Sequence, residues 1–238
     1  MEPIILIGII LLGLGSYLLG SICWAIVISH YKSNQDIRAL GDKNPGAFNT
    51  GKNLGLKLGL LVMFLDMLKG LIPAIIATTV NFGEYQGWAI GVAGVMTLVG
   101  HCYPLYFNFK GGNGYSTIFG FMMIYHPWMV LEWGILVFIL TLLFKYIRPV
   151  QLVAIVLTGV SGIFIRWPFY WWNLSYRMDA ELAQRTIPIT ILVISLIQLP
   201  RFIPYFFGIF KGTEEKMHFF RRKRKTEQPT NGLSIPQE

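Results

Sequence analysis

Long apolar runs separated by polar or glycine-rich stretches dominate this chain. The first run covers about Pro3 to Ile28, with no charge after Glu2. His30 to Lys57 is polar, rich in Gly and Asn, and reads as a loop with room for a short amphipathic piece. Further runs cover about Leu58 to Val80, Gly87 to Phe107, Trp128 to Tyr146, Val150 to Ile165 and Thr186 to Phe207. Between them lie a short turn (Asn81 to Gln86), a tight glycine-rich loop (Lys110 to Gly114) and a polar, Trp-rich connector (Pro168 to Gln184). Tyr115 to Tyr125 is apolar but eleven residues long, whereas a bilayer span takes about 20. It predicts a short, partly buried helix ending near His126-Pro127. The predicted fold is all-α: a polytopic membrane bundle of about seven transmembrane helices, one of them short, over residues 1–210. A basic cytoplasmic tail, largely disordered, is expected over 211–238.

Charge orients this arrangement. Seven crossings put 16 Lys and Arg residues on one side, including the run Arg221–Lys225, and 3 on the other (Arg166, Arg177, Arg185). Cytoplasmic loops carry the excess of basic residues, so the N-terminus is expected outside and the C-terminus in the cytoplasm of a multi-pass protein of the cell membrane. Basic residues beside anionic lipid contribute about 1 kcal/mol each. The net charge of +8 therefore reads as topology and lipid contact, not nucleic-acid binding.

Composition agrees. Hydrophobic residues make up 54% of the chain and charged ones 13%, about half the charged share of a soluble domain. Met-Glu-Pro lacks the positive start of a signal peptide. Cys23, Cys102 and four scattered histidines form no disulfide framework and no metal or haem pattern.

Three polar clusters fall on the basic side. The first runs from Asp36 to Asn49, where Gly41 and Gly46 allow backbone that aims N–H groups at an anion; an ordinary polar loop is the competing reading. The second is Asp66 with Lys69 and Gly70 inside a span. Charges there cost several kcal/mol unless paired or hydrated, and the i, i+3 spacing lets the two pair on one helix face. A structural ion pair is favoured over direct substrate contact. The third runs from Gly100 to Thr117. Its glycine-rich loop opens a helix, a natural place for phosphate, with Lys110 adding charge and Ser116 and Thr117 adding hydroxyls.

In this order the clusters resemble the PlsY family, bacterial membrane acyltransferases that move a fatty acyl group from acyl phosphate to glycerol 3-phosphate. Gly41-Asp42-Lys43-Asn44-Pro45-Gly46-Ala47-Phe48-Asn49 occupies the family's GSGNxGATN motif. Asp66, Lys69 and Gly70 match D-x-x-K-G, and Gly100, His101, Pro104, Phe109, Gly111, Gly112, Gly114 and Thr117 match GHxFPxFxxFxGGKGxAT. The chain departs from the family at Asn113 (for the Lys of GGKG), at Asp42, Lys43 and Phe48, and at Arg148-Pro149-Val150-Gln151, where a Ser is usual. It departs again at Phe202 and Tyr205, for a His and an Asn.

The resemblance implies an enzyme of phospholipid biosynthesis whose substrates are acyl phosphate and glycerol 3-phosphate, with no other cofactor. Its implied catalytic residues are Asn44, Ser116 and Lys43, the last standing in for the charge lost at Asn113. Gly41, Asn49, Lys110, Gly111, Gly112, Asn113, Gly114 and Thr117 are implied to bind phosphate, and Asp66, Lys69 and His101 to form a structural polar unit. The His-x4-Asp mechanism of other glycerolipid acyltransferases is excluded, because no His has Asp five positions later. Two other classes stay open: a catalytically impaired relative that binds lipid or a partner, and a transporter. An internal repeat and several intramembrane charges would mark a transporter, and neither is found.

Overall fold

The structure is a computed structural model that describes residues 2–165, 180–214 and 216. The basic run Arg221–Lys225 and residues 166–179 of the connector lie outside these. Among the described residues every regular element is helical. The chain forms α1 (Pro3–Gly20), α2 (Trp24–Ser33), α3 (Ala47–Leu54), α4 (Leu56–Thr79) and α5 (Gln86–Cys102). α6 (Tyr115–Tyr125), α7 (Pro127–Phe144), α8 (Ile147–Phe164) and α9 (Ala180–Phe210) follow.

Among the described residues, six stretches are long and apolar enough to cross a membrane: Pro3–Ser33, Leu56–Thr79, Gly83–Phe107, Pro127–Phe144, Ile147–Phe164 and Glu181–Phe210. α6 is the short seventh helix. Its eleven residues reach about 16 Å at 1.5 Å per residue, half of a hydrocarbon core of about 30 Å.

The boundaries differ from expectation in three places. The first run is not one helix: it breaks between Gly20 and Trp24, and α2 carries it on to Ser33. The polar stretch before the second span contains α3, an amphipathic turn pair that buries Asn49 and Thr50 and exposes Lys52. The last helix starts at Ala180 and absorbs the end of the expected connector.

In lipid, association depends on close packing rather than on apolarity, and small residues decide which helix is central. α5 buries Ala89, Gly91, Ala93, Gly94, Thr97 and Gly100 and packs on α1, α4 and α9. A Cβ on Gly20 would collide with the Thr97 carbonyl, and one on Gly100 with that of Tyr17, so α1 and α5 touch backbone to backbone. Gly70 and Gly120 join α4 to α6 in the same way, against the carbonyls of Thr117 and Met67. α7 lacks such a stripe. Its Leu131, Ile135, Phe138 and Leu142 are exposed at helical spacing, a lipid-facing side.

These contacts gather the loop before α4, the loop after α5, the α7–α8 junction and the end of α9 at one end of the bundle. Gly8 of α1 lies beside Phe82 at the other end.

Candidate functional site

The break in α1 explains the buried lysine. Ending a helix inside a span leaves carbonyls without partners, and a cation at a helix C-terminus is favoured. Lys69 Nζ donates to the carbonyls of Ile22 (2.9 Å) and Gly20 (3.3 Å). It also lies 2.9 Å from Asp66 Oδ1 and 3.0 Å from His101 Nδ1. An ammonium only donates, so His101 Nδ1 accepts and the imidazole proton sits on Nε2. Thr117 Oγ1 lies 3.1 Å from the same Nδ1. Asp66, Lys69, His101 and Thr117 thus form one buried cluster joining α1, α4, α5 and α6.

Above it, two loops are tied together. Asp36 grips Arg38 through Nε (2.9 Å) and Nη2 (2.7 Å), and the guanidinium donates to the carbonyls of Phe107 (3.2 Å) and Lys110 (3.3 Å). That hydrogen-bonded guanidinium holds the Asp36 carboxyl below its ordinary range. Asn49 donates to the carbonyls of Ile37 and Leu40 and accepts from the Asp42 amide and from Asn53. It is spent on shaping the first loop, in which Gly41 turns at φ +54°.

The glycine-rich loop is not wholly available to a ligand. The Gly111 amide donates to the Cys102 carbonyl (3.2 Å) and the Gly112 amide to that of His101 (3.1 Å), capping α5. Arg201 holds the Gly111 carbonyl, and Gln198 the Asn113 carbonyl at 2.6 Å. At Gly114 the backbone turns to φ +86°, a conformation that favours glycine, and α6 begins there without a side-chain cap. Its first-turn amides have no acceptor within the helix.

These parts surround a cavity of about 540 Å³. Among the implied site residues, Asn44, Asn113, Gly114, Ser116, Asp66 and His101 line it. Gly41, Lys43, Asn49, Lys69, Lys110, Gly111, Gly112 and Thr117 are not on its wall. Gly41, Lys43 and Lys110 are solvent-exposed; Asn49, Lys69, Gly111, Gly112 and Thr117 are buried behind the wall.

The cations that do line the cavity are Lys52 and Arg148, and neither was among the candidates. Arg148 bonds the Asp42 carboxylate and, at 3.3 Å, Glu214 Oε1, and its guanidinium lies 4.9 Å from the centre of the Tyr205 ring. Tyr205 Oη in turn lies 3.5 Å from Asn113 Nδ2. Phe202 packs edge-on against Tyr115, their centroids 5.3 Å apart. Five of the positions where the chain departs from the family motifs, Asp42, Asn113, Arg148, Phe202 and Tyr205, therefore adjoin one another in space. The signal in the sequence was a charge appearing at 148 where one is lost at 113. Lys52 carried no such signal.

One flank of the lining is apolar: Phe48, Leu56, Leu60 and Met63, all exposed along α3 and α4. Among the described residues, Asn44 Oδ1 and Tyr115 Oη are buried without a hydrogen-bond partner. Polar groups suited to an anion thus share one cavity with an apolar flank open to lipid. Such a cavity in a multi-pass bundle suits an enzyme that brings an anionic substrate to a lipid-borne one.

Comparison with known proteins narrows this. Residues 10–204 match the glycerol-3-phosphate acyltransferase family, and the chain belongs to it. It is 37% identical over 163 residues to a glycerol-3-phosphate acyltransferase of Finegoldia magna, covering 68% of this chain and 80% of that one. Against the Aquifex aeolicus protein of the same name the identity is 41% over 150 residues, 63% and 75% of the two chains. A crystal structure of PlsY (YgiH), an integral membrane glycerol 3-phosphate acyltransferase in its glycerol 3-phosphate form, superposes with a TM-score of 0.71 at 28% identity. The match covers 89% of this chain and 96% of that one.

Proposed function

We propose that the chain transfers a fatty acyl group from acyl phosphate to glycerol 3-phosphate, forming lysophosphatidate at the cytoplasmic face of the plasma membrane. The observation that carries this reading is the two-sided cavity, where Asn44, Asn113, Ser116 and Arg148 face a flank of Phe48, Leu56, Leu60 and Met63. The flank suits the acyl chain and the polar wall suits two phosphates.

An acyl phosphate is a mixed anhydride, so the acceptor hydroxyl attacks its carbonyl carbon directly. A new C–O bond forms, the bond from that carbon to the phosphate oxygen breaks, and phosphate leaves with the electron pair and takes the hydroxyl proton. No covalent enzyme intermediate is needed. The enzyme's work is positioning and stabilisation of developing charge. Asn44 Oδ1, buried without a partner, accepts from the acceptor hydroxyl and aims it. The Ser116 hydroxyl and the first-turn amides of α6 face the phosphate of the donor.

The orientation rests on charge. Among the described residues, eleven Lys and Arg lie at the site's end of the bundle and one, Arg185, at the other, and the basic end is the cytoplasmic one.

The test is an assay of the purified protein with glycerol 3-phosphate and either acyl phosphate or acyl-CoA. Lysophosphatidate is expected from acyl phosphate and not from the thioester. Product from acyl-CoA alone, or from neither donor, overturns the reading.

A further inference from the structure

The cavity has to hold phosphate dianions, yet the family's Lys is replaced by the neutral Asn113 on its wall. Lys43 and Lys110, the cations adjoining in sequence, are off the wall and exposed. Lys52 is on the wall but also exposed, where water and salt screen it. Arg148 differs: its side chain is 16% exposed, and it stands at the α8 N-terminus beside Asp42, Glu214 and Tyr205. A guanidinium has five N–H donors in a planar fork, and the two carboxylates take one each from Nη2 and Nη1. Asn113 and Arg148 both meet Tyr205, at its hydroxyl and over its ring. A charge at either position therefore reaches the same part of the cavity.

We propose that Arg148 is this enzyme's phosphate-binding cation, relocated from the loop before α6 to the start of α8, with Asp42 and Glu214 as the carboxylates that compete for it. The assignment rests on the acyl-transfer reading, and it names the substrate group Arg148 meets: a phosphate monoester, of the acceptor or of the acyl donor. Arginine suits the task because its fork takes a phosphate bidentately. Asp42 also accepts from the Asn44 amide at 3.0 Å, so release of Arg148 by Asp42 is coupled to the residue that aims the hydroxyl.

The experiment measures binding of inorganic phosphate and of glycerol 3-phosphate to the full-length purified protein by calorimetry, with steady-state kinetics alongside. Arg148→Gln should weaken phosphate binding by about tenfold to a hundredfold, the range of a lost charge-assisted hydrogen bond. It should raise KM for the one substrate whose phosphate Arg148 holds, and so separate acceptor from donor. Asp42→Asn removes a competitor and should tighten phosphate binding. Asn113→Lys added to Arg148→Gln should restore binding. The Asp42→Asn/Arg148→Gln double variant, which removes the Asp42 charge together with its guanidinium partner, shows the same loss if Arg148→Gln itself folds poorly. Phosphate binding unchanged in both Arg148 variants, or a loss that Asn113→Lys does not repair, overturns the assignment and leaves the acyl-transfer reading standing. Arg148-dependent binding with no acyl transfer from any donor overturns that reading and leaves Arg148 a phosphate-binding cation without a part in acyl transfer. A parent protein that binds neither ligand overturns both.

Discussion

Replacing Lys69 with Met removes the cation that closes the break between α1 and α2. Lys69 is 1% exposed and Asp66, on the cavity wall, 2%, so water replaces the lost group poorly. The substitution leaves the Asp66 carboxylate without its partner at 2.9 Å and frees the Gly20 and Ile22 carbonyls. Breaking one side of a buried pair costs about 3–5 kcal/mol. At about 2–4 °C per kcal/mol for a chain of this length, Lys69→Met should lower Tm by roughly 6–20 °C. Asp66→Asn alone should cost less, because Lys69 keeps two carbonyls and His101. The double variant should lose less than the sum of the two singles by roughly 0.5–3 kcal/mol, since it no longer strands a charge. The measurement is thermal unfolding of each variant in detergent, followed by size-exclusion recovery. Strictly additive losses, or a Tm shift below about 2 °C for Lys69→Met, would refute the pairing argument.

Gly70→Ala should destabilise by about 1–3 kcal/mol, as overpacking does, because its Cβ meets the Thr117 carbonyl of α6. Gly134→Ala in α7, with nothing within 4 Å of the added Cβ, should leave folded yield unchanged in the same recovery assay. Asn44→Ala should lower kcat more than it raises KM for glycerol 3-phosphate, because a hydroxyl-aiming amide acts chiefly in the transition state; a pure KM effect would place Asn44 elsewhere. A reporter active only in the cytoplasm should light up when fused after Glu238 and stay dark when inserted after Asn173; the reverse pattern would turn the molecule over.

The run of apolar segments, the all-α class and the short sixth helix were determined by the sequence itself, because the cost of unpaired backbone and charge in lipid leaves few ways to place such a chain. The partnership of Asp66 with Lys69 was equally legible, since i, i+3 spacing and the same cost point one way. Local spacing, however, is silent about what meets across the bundle. It could not show that α1 breaks at Gly20 and that Lys69 repairs the break, because the carbonyls concerned lie 47 and 49 positions away. Nor could it show that Gly111 and Gly112 spend their amides on capping α5, which a glycine-rich motif read as a phosphate cradle conceals. Arg148 was visible only as a departure from a motif. Tertiary packing sets it against Asp42, 106 residues earlier, and Glu214, 66 residues later. A single charge among lipid-facing helices has to find its counterions through space, and only the folded bundle decides where they are.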